Sequence, residues 1–339
     1  LMLRAGILAR DPAPCYYVYR LIMGEHVQTG LAAAASLTDY DANRIRKHEF
    51  TQPDKENDRV RQIEALNAQT GPVLLAYPNA PEVDDILARC SAGAPDAGAT
   101  ADDGIRHSLW VVRDAEIHSR LTRAFDAMPA LYIADGHHRS AAASRVAAAR
   151  RTANPRHTGE ENYNYFLTVI SPHHQMQILA YNRVVADLNG MNAEAFLARV
   201  RENFSVERSP SPVKPAEPAE FGLYLAGQWY RLAIHRARIP AGDPVARLDV
   251  SLLSDHLLGP ILGIKDLRRD KRVEFVGGIR GLPELEKRVN SGEMAAAFAL
   301  HPTRMEDLMA VAEAGEVMPT KSTWFEPKLA DGLVSHVLD

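Results

Sequence analysis

The sequence holds 339 residues, with 39 Lys and Arg against 43 Asp and Glu, for a net charge of −4. A chain of this length can bury a sizeable core and suggests two domains or one large one, and its mild acidity argues against the strongly basic surface of a DNA-binding domain. No run of about 18 apolar residues is present to span a membrane, the Leu1-Met2-Leu3-Arg4 start lacks the apolar stretch and cleavage site of a signal peptide, and two cysteines, Cys15 and Cys90, exclude a disulfide scaffold or zinc finger and fit a reducing cytoplasm.

In chain order, the aromatic and β-branched run from Cys15 to Met23 predicts a strand, Gly24-Glu25-His26 a turn, and Val27 to Ser36 a second strand. Thr51, with Pro53 in the first turn and Asp54 three residues on, predicts a capped helix start. Val60, Ile63 and Leu66 continue it and Gly71 ends it. Pro72–Tyr77 reads as a buried strand, residues 91–104 as a loop, His107–Val112 as a strand and Ile117–Phe125 as a helix. The apolar run Ala130–Ala134 predicts an interior strand, and the Ala-rich stretch Arg139–Arg151 a strong helix. Tyr165–Ile170 and Gln177–Ala180 are expected to form a strand pair, and residues 193–203 an amphipathic helix. Four prolines between Ser209 and Pro218 forbid helix or central strand, which makes this the expected boundary. Beyond it the pattern predicts a hairpin (Phe221–Ala226, Trp229–His235), a helix near Ser251–Leu258 and a strand Val273–Val276. A helix Pro283–Ser291, a strand Ala295–His301 and a helix Met305–Ala314 complete it.

Four segments hold residue types suited to chemistry. Asp135-Gly136-His137-His138-Arg139 lies between the apolar strand and the Ala-rich helix. A strand–turn–helix junction directs free backbone N–H groups and the positive helix end at an anion, and two imidazoles and a guanidinium add donors for phosphate oxygens. In the alternative, Asp135 caps the helix, Gly136 makes the turn, and the histidines pack or face water. Adjacent histidines on a helix point apart, so a zinc site built from both is not expected. Lys47-His48-Glu49-Phe50-Thr51 sets a carboxylate beside an imidazole, as a general base requires; on residue types alone a solvated run leading into a helix is favoured. Met318–Lys328 invites a phosphate-loop reading, but the pattern needs Gly where Thr320 stands, and Pro319 and Pro327 oppose it. What remains is either a site loop or a loop anchored by Trp324 and Phe325. Gly277-Gly278 closes a strand and reads best as a tight turn. Arg268–Arg272 and His173-His174 read as solvated turns.

Taken together, these segments resemble a known family. Lys47-His48-Glu49-x-Thr51 with Lys55-Glu56 and Asp58-Arg59, Tyr132–Arg139, Phe275–Gly278 and Met318-x-x-Lys321–Leu329 resemble the bacterial domain-of-unknown-function family 1015, related to the ParB/sulfiredoxin superfamily and to free serine kinases. The likeness covers nearly the whole chain. Thr320 departs from it, standing where the family usually has a second proline. Members usually carry a further N-terminal segment with a Pro-Pro-Tyr-Asp motif, which this sequence lacks, so the resemblance makes 339 residues a lower bound.

The resemblance implies an α+β fold: a ParB/sulfiredoxin-like mixed-sheet core over residues 1–208 and an α/β part over 209–339 carrying the Lys-Ser-Thr-Trp loop. It implies phosphate or nucleotide binding by Asp135, Gly136, His137, His138, Arg139, Ser322 and Thr323. Glu49, His138 and Lys321 would be catalytic, with Glu49 taking a hydroxyl proton (Glu56 could fill that role) and Lys321 neutralising the phosphoryl group. His48, Thr51, Trp324 and Glu326 would bind substrate, and Asp135 would hold Mg²⁺. The implied activity is phosphoryl transfer from ATP or ADP to free L-serine or a similar metabolite. The competing expectations are a nucleotide-binding ParB-like regulator, a phosphohydrolase, or a non-catalytic protein whose polar boxes are structural. A small molecule and a nucleotide are the expected partners, without membrane, with DNA disfavoured and a homodimer allowed.

Overall fold

A computed structural model describes Met2 and residues 4–338. Leu1 and Leu3 of the N-terminal start, and Asp339, lie outside the described residues. The chain divides into two compact units: residues 1–176 with 327–339, and residues 177–326. The first unit is thus interrupted by the second and resumed at Pro327.

The first unit is built on a mixed eight-stranded sheet. Its order runs Ile45–Arg46, Leu131–Asp135, Val73–Tyr77, Tyr165–Pro172, His26–Ser36, Tyr16–Met23, Arg106–Val112, Ala97–Thr100. Two pairings are parallel, Ile45–Arg46 with Leu131–Asp135 and Val73–Tyr77 with Tyr165–Pro172, and the others are antiparallel. Side chains alternate across it, as a pleated strand demands. Val18, Leu31, Phe166 and Ile170 join a core with Leu37 and Tyr40, Ile63, Val83, Ile86, Leu121 and Ala143 from the helices. Tyr19, Leu21, Ala32, Leu109 and Val169 form a smaller cluster, against which Leu329, Leu333 and Val334 pack.

The second unit is built on a six-stranded antiparallel sheet, ordered Phe204–Ser209, Gln228–Ile234, Glu220–Leu225, Ala296–Leu300, Tyr181–Val185, Val273–Gly277. The proline-rich stretch 209–218 lies inside this unit, between two of its strands. The chain joins the unit earlier because Tyr181–Val185 is an interior strand of the sheet. The stretch is held against it: Val213 is buried, and a Cβ on Gly222 would stand 2.3 Å from the Val213 carbonyl oxygen.

Other differences have local reasons. Ala97–Thr100, expected as loop, is a fully exposed edge strand created by pairing with Arg106–Val112. Its Gly and Ala residues carry no strand signal of their own. Tyr165–Pro172 and Gln177–Ile178 do not pair with each other; the latter pairs with Phe325–Glu326. The helix Pro81–Cys90 was not anticipated from the sequence, although Val83, Ile86 and Leu87 give it a buried face.

The Gly222 contact is testable. Gly222→Ala must displace the Val213 backbone, and overpacking of this kind costs about 1–3 kcal/mol. Equilibrium denaturant unfolding should show that loss, whereas a stretch 209–218 that behaved as a free linker would leave the midpoint unchanged.

Candidate functional site

The interior strand Leu131–Asp135 delivers the chain to Gly136, whose φ of 106° and ψ of 26° lie in the left-handed region. Glycine adopts this at no steric cost, and a Cβ here would stand 2.9 Å from Arg139 Nη2. The turn opens the helix His137–Ala153, which has no side-chain cap and no acidic residue in its first turn. Asp135 therefore does not cap it. The Gly136 carbonyl accepts from the backbone N–H groups of Arg139 and Ser140, at 2.8 and 3.0 Å. The uncapped N-terminus leaves donors and a positive dipole end for an outside acceptor.

The histidine pair performs a task the sequence does not announce. His137 Nε2 accepts the His48 backbone N–H at 3.4 Å, and His138 Nε2 accepts that of Gln52 at 3.0 Å. The two imidazoles, pointing apart, fasten the segment 48–52 to the helix start. An accepting Nε2 assigns a neutral ring with its proton on Nδ1. His48 and His137 are buried and meet edge to face with centroids 4.5 Å apart. Burial pushes the His48 pKa down to about 4; the Ile133 backbone and Asp135 offset only part of this. His137 is held well below its ordinary value by burial, then by His48, His138, Arg139 and Lys47. His138 is lowered by burial and by Lys55.

This fastening separates the two carboxylates that the sequence leaves open. Glu49 is half exposed, with Oε2 3.7 Å from His137 Nδ1, the protonated nitrogen. Glu56 is largely buried, takes a hydrogen bond from the Thr51 hydroxyl and pairs with Arg145 at 3.2 Å. Glu56 is thus committed to structure, whereas Glu49 stays half exposed beside His137. Thr51 is spent on Glu56 and does not cap the helix Pro53–Leu66, which starts at Gln52 without a side-chain cap. That helix ends at left-handed Asn67 rather than at Gly71.

Cations collect around the turn. Arg139 and Lys328 lie 3.4 and 3.8 Å from Asp135 Oδ2. Lys55 and Arg59 act on His138. Lys47 stands 3.9 Å from the Tyr40 ring centroid and, by burial, has its pKa lowered. Lys328, Lys55 and Arg59 fall within the family motifs, but residue type alone assigns them no role; only the folding-back of residues 327–334 places Lys328 here.

The remaining expected residues fall in the second unit. Ser322 Oγ donates to the Pro319 carbonyl at 2.6 Å, and its own carbonyl accepts from Thr303 Oγ1 at 2.8 Å. Trp324 Nε1 donates to Glu326 Oε1 at 2.7 Å, and Glu326 is buried in the short strand Phe325–Glu326. Lys321 is exposed, with φ of 60°; Thr323 is half-buried. Gly277 and Gly278 are there for close approach: a Cβ at either would stand 2.7 Å from the Trp324 ring or from the Ala180 carbonyl oxygen.

Among the described residues no group of three or more His, Cys, Asp or Glu side chains is placed to hold a metal ion. Asp135, the expected Mg²⁺ ligand, turns one oxygen to two cations. A single carboxylate so occupied does not fit a protein-built Mg²⁺ site, which needs near-octahedral oxygen donors. No helix is long and apolar enough to cross a membrane among the described residues.

A family model described as "Protein of unknown function (DUF1015)" matches residues 1–251, and the chain belongs to this family. No relative was found among curated proteins. Similar solved structures include a free serine kinase variant in complex with AMP, at 12% identity and a TM-score of 0.42, covering 89% of this chain and 91% of that one. SbnI with a C-terminal truncation from Staphylococcus aureus shows 11% identity and a TM-score of 0.46, with coverages of 88% and 85%. A conserved hypothetical protein from Pyrococcus furiosus shows 13% and 0.39, with 88% and 93%.

The neutral histidines make stability depend on pH with a definite sign. Their folded pKa values lie below the unfolded value of 6.5, so the unfolded chain binds more protons. Stability is fully present above 6.5 and is lost as pH falls, for His48 down to its folded value of about 4, by up to about 1.4 kcal/mol per unit for each group that takes up its proton. Melting followed from pH 7 to 4 should show this slope, reduced in His48→Leu. An identical slope in that variant would remove His48 from the account.

Proposed function

We propose that this chain transfers a phosphoryl group from ATP or ADP to the hydroxyl of a small metabolite, with free L-serine the foremost acceptor. The observation that carries this reading is the juxtaposition of an uncapped, glycine-led helix N-terminus with the Glu49 carboxylate, which stands 3.7 Å from His137 Nδ1, and with Arg139 and Lys328, which meet at Asp135. Phosphoryl transfer asks a protein chiefly for positioning and electrostatic stabilisation. The backbone N–H groups at the start of the helix and the Arg139 guanidinium would receive phosphate oxygens. His138, neutral and anchored through Nε2, keeps Nδ1–H as a further donor. Lys55, Arg59 and Lys328 would lower the energy of the accumulating negative charge without a protein-held metal. Any Mg²⁺ would arrive with the nucleotide.

Glu49 would take the acceptor hydroxyl's proton. His137 orients it: the His48 N–H fixes the proton of His137 on Nδ1, which faces the Glu49 carboxylate. His48 and Thr51 would act through this scaffold, His48 by its backbone and Thr51 by holding Glu56, rather than by touching substrate. Kinship of the first unit with the ParB/sulfiredoxin superfamily belongs to the same proposal, resting on the Asp-Gly-His-His-Arg turn at a strand–helix junction.

A second reading, a nucleotide-binding regulator without chemistry, is favoured by one observation: both Nε2 atoms are spent on backbone N–H groups, so the histidines are fasteners first.

Incubation with serine, Mg²⁺ and ATP or ADP should yield phosphoserine. Glu49→Gln should lower kcat by about 10²-fold or more, in keeping with the loss of a general base, with nucleotide KM nearly unchanged. Arg139→Ala should instead raise nucleotide KM, by roughly tenfold for a lost charge-assisted hydrogen bond. Tight nucleotide binding with no product from either donor would establish the regulator; nucleotide consumption indifferent to serine would establish a hydrolase.

A further inference from the structure

The first unit holds a cavity of about 240 Å³ at the opposite end of the strand Leu131–Asp135 from the helix start. Leu131 lines it, whereas Gly136 follows Asp135, so the length of the strand sets the two places roughly 13 Å apart. One wall is the interior strand His26–Ser36, whose Leu31-Ala32-Ala33-Ala34-Ala35 run puts alanines where core strands usually carry branched or aromatic residues. Ala33 and Ala35 share the face of Leu31 and line the cavity, with Ile45 and Ile170 beside them. The facing wall is the helix Ala115–Asp126, which contributes Thr122, Phe125 and Asp126, and of which Leu121 alone is buried.

Protein interiors close up around small side chains unless something holds the walls apart. Two polar ties do so here. Tyr16 OH and Thr122 Oγ1 share a hydrogen bond of 2.9 Å, which joins the helix to the strand Tyr16–Met23. At the end of the helix the Arg44 guanidinium donates to the carbonyls of Phe125, Asp126 and Met128 at 3.1, 2.8 and 3.2 Å, and to Asp39 Oδ2 at 3.2 Å. Tyr16, Thr122, Asp39 and Arg44 all line the cavity, so its shape is set before anything enters it. An empty apolar space destabilises a fold in proportion to its volume. An apolar cavity of about 150 Å³ admits benzene, so 240 Å³ has room for a fused two-ring molecule of about nine to twelve heavy atoms.

The polar groups narrow the chemistry further. Arg44 is already paired with Asp39, and Asp126 adds an exposed carboxylate, so an anion meets repulsion. A cation would leave water for a largely apolar wall whose partly buried carboxylate is taken. Two hydroxyls bonded to each other still keep one O–H and free lone pairs between them, and can serve a ligand's donor or its acceptor.

We propose that this cavity binds an uncharged, largely apolar ring compound whose one polar group bonds to the Tyr16–Thr122 hydroxyl pair. The site is separate from the helix start at residues 136–139, and the proposal stands whether or not that helix start receives a nucleotide.

The test uses the full chain with its alanine methyl groups labelled with carbon-13. Indole and, separately, indole-3-acetate, the same ring carrying a negative charge, are titrated while the Ala33 and Ala35 methyl resonances are followed. Each resonance is assigned by its loss in Ala33→Ser or Ala35→Ser. The expected result is a saturable shift of both methyls with indole, half complete at about 1 mM or below. Indole-3-acetate should bind about tenfold more weakly or worse. Ala35→Leu, which fills the space, should abolish indole binding without lowering the melting temperature. Thr122→Val keeps the shape at an exposed position and removes one hydroxyl; it should weaken indole about fivefold. If Ala35→Leu does not fold, Thr122→Val decides by itself, with weakened binding supporting the proposal. No saturable shift with indole, undiminished binding in Ala35→Leu or Thr122→Val, or equal affinity for indole-3-acetate would overturn it.

Discussion

The first unit's site depends on two hydrogen bonds in which imidazole nitrogens accept backbone N–H groups, His48 to His137 and Gln52 to His138. Each is worth about 1 kcal/mol in isolation, too little to matter to the stability of a chain this size. Their consequence is geometric. They fix which ring nitrogen keeps the proton, they keep both rings neutral, and they hold a six-residue connection against a helix that begins two residues away from an interior strand. Without them Glu49 would be one more carboxylate on a mobile loop.

The same bonds explain why burial is concentrated here. An imidazole taken from water loses its charge readily, and a neutral ring offers one donor and one acceptor in fixed directions. His137 uses that acceptor, and desolvation of both buried rings, His48 and His137, suppresses the charge that would otherwise repel the surrounding lysines and arginines. The cations are thereby left to attract an anion, with the histidines as uncharged struts between them. Asp135 belongs to this balance, since it meets Arg139 and Lys328 rather than a metal ion.

Much of this was legible in the sequence. Strands such as Tyr16–Met23, Val73–Tyr77 and Leu131–Asp135 announce themselves through β-branched and aromatic runs, and the Ala-rich helix through propensity. Gly136 between strand and helix pointed to the turn. What escaped is what pairing alone decides. Ala97–Thr100 is a strand only because a neighbour supplies its hydrogen bonds, and Tyr181–Val185, too short to show a clear alternation, is an interior strand. The choice between Glu49 and Glu56 rests on Arg145, 89 residues from Glu56. The run Met318–Leu329 reads as one motif, yet the chain passes from one unit to the other within it, so that Lys321 and Lys328 belong to different units.

Whether the helix start at residues 136–139 receives phosphate is measured most directly by titrating the full chain with ADP while following the backbone amide resonances of Gly136, His137 and His138, the Arg139 amide being held by the Gly136 carbonyl. Saturable downfield amide-proton shifts are expected at these three positions, reached only at roughly tenfold higher ADP in Arg139→Met. ADP binding that leaves all three amides unmoved would contradict phosphate binding at this helix start.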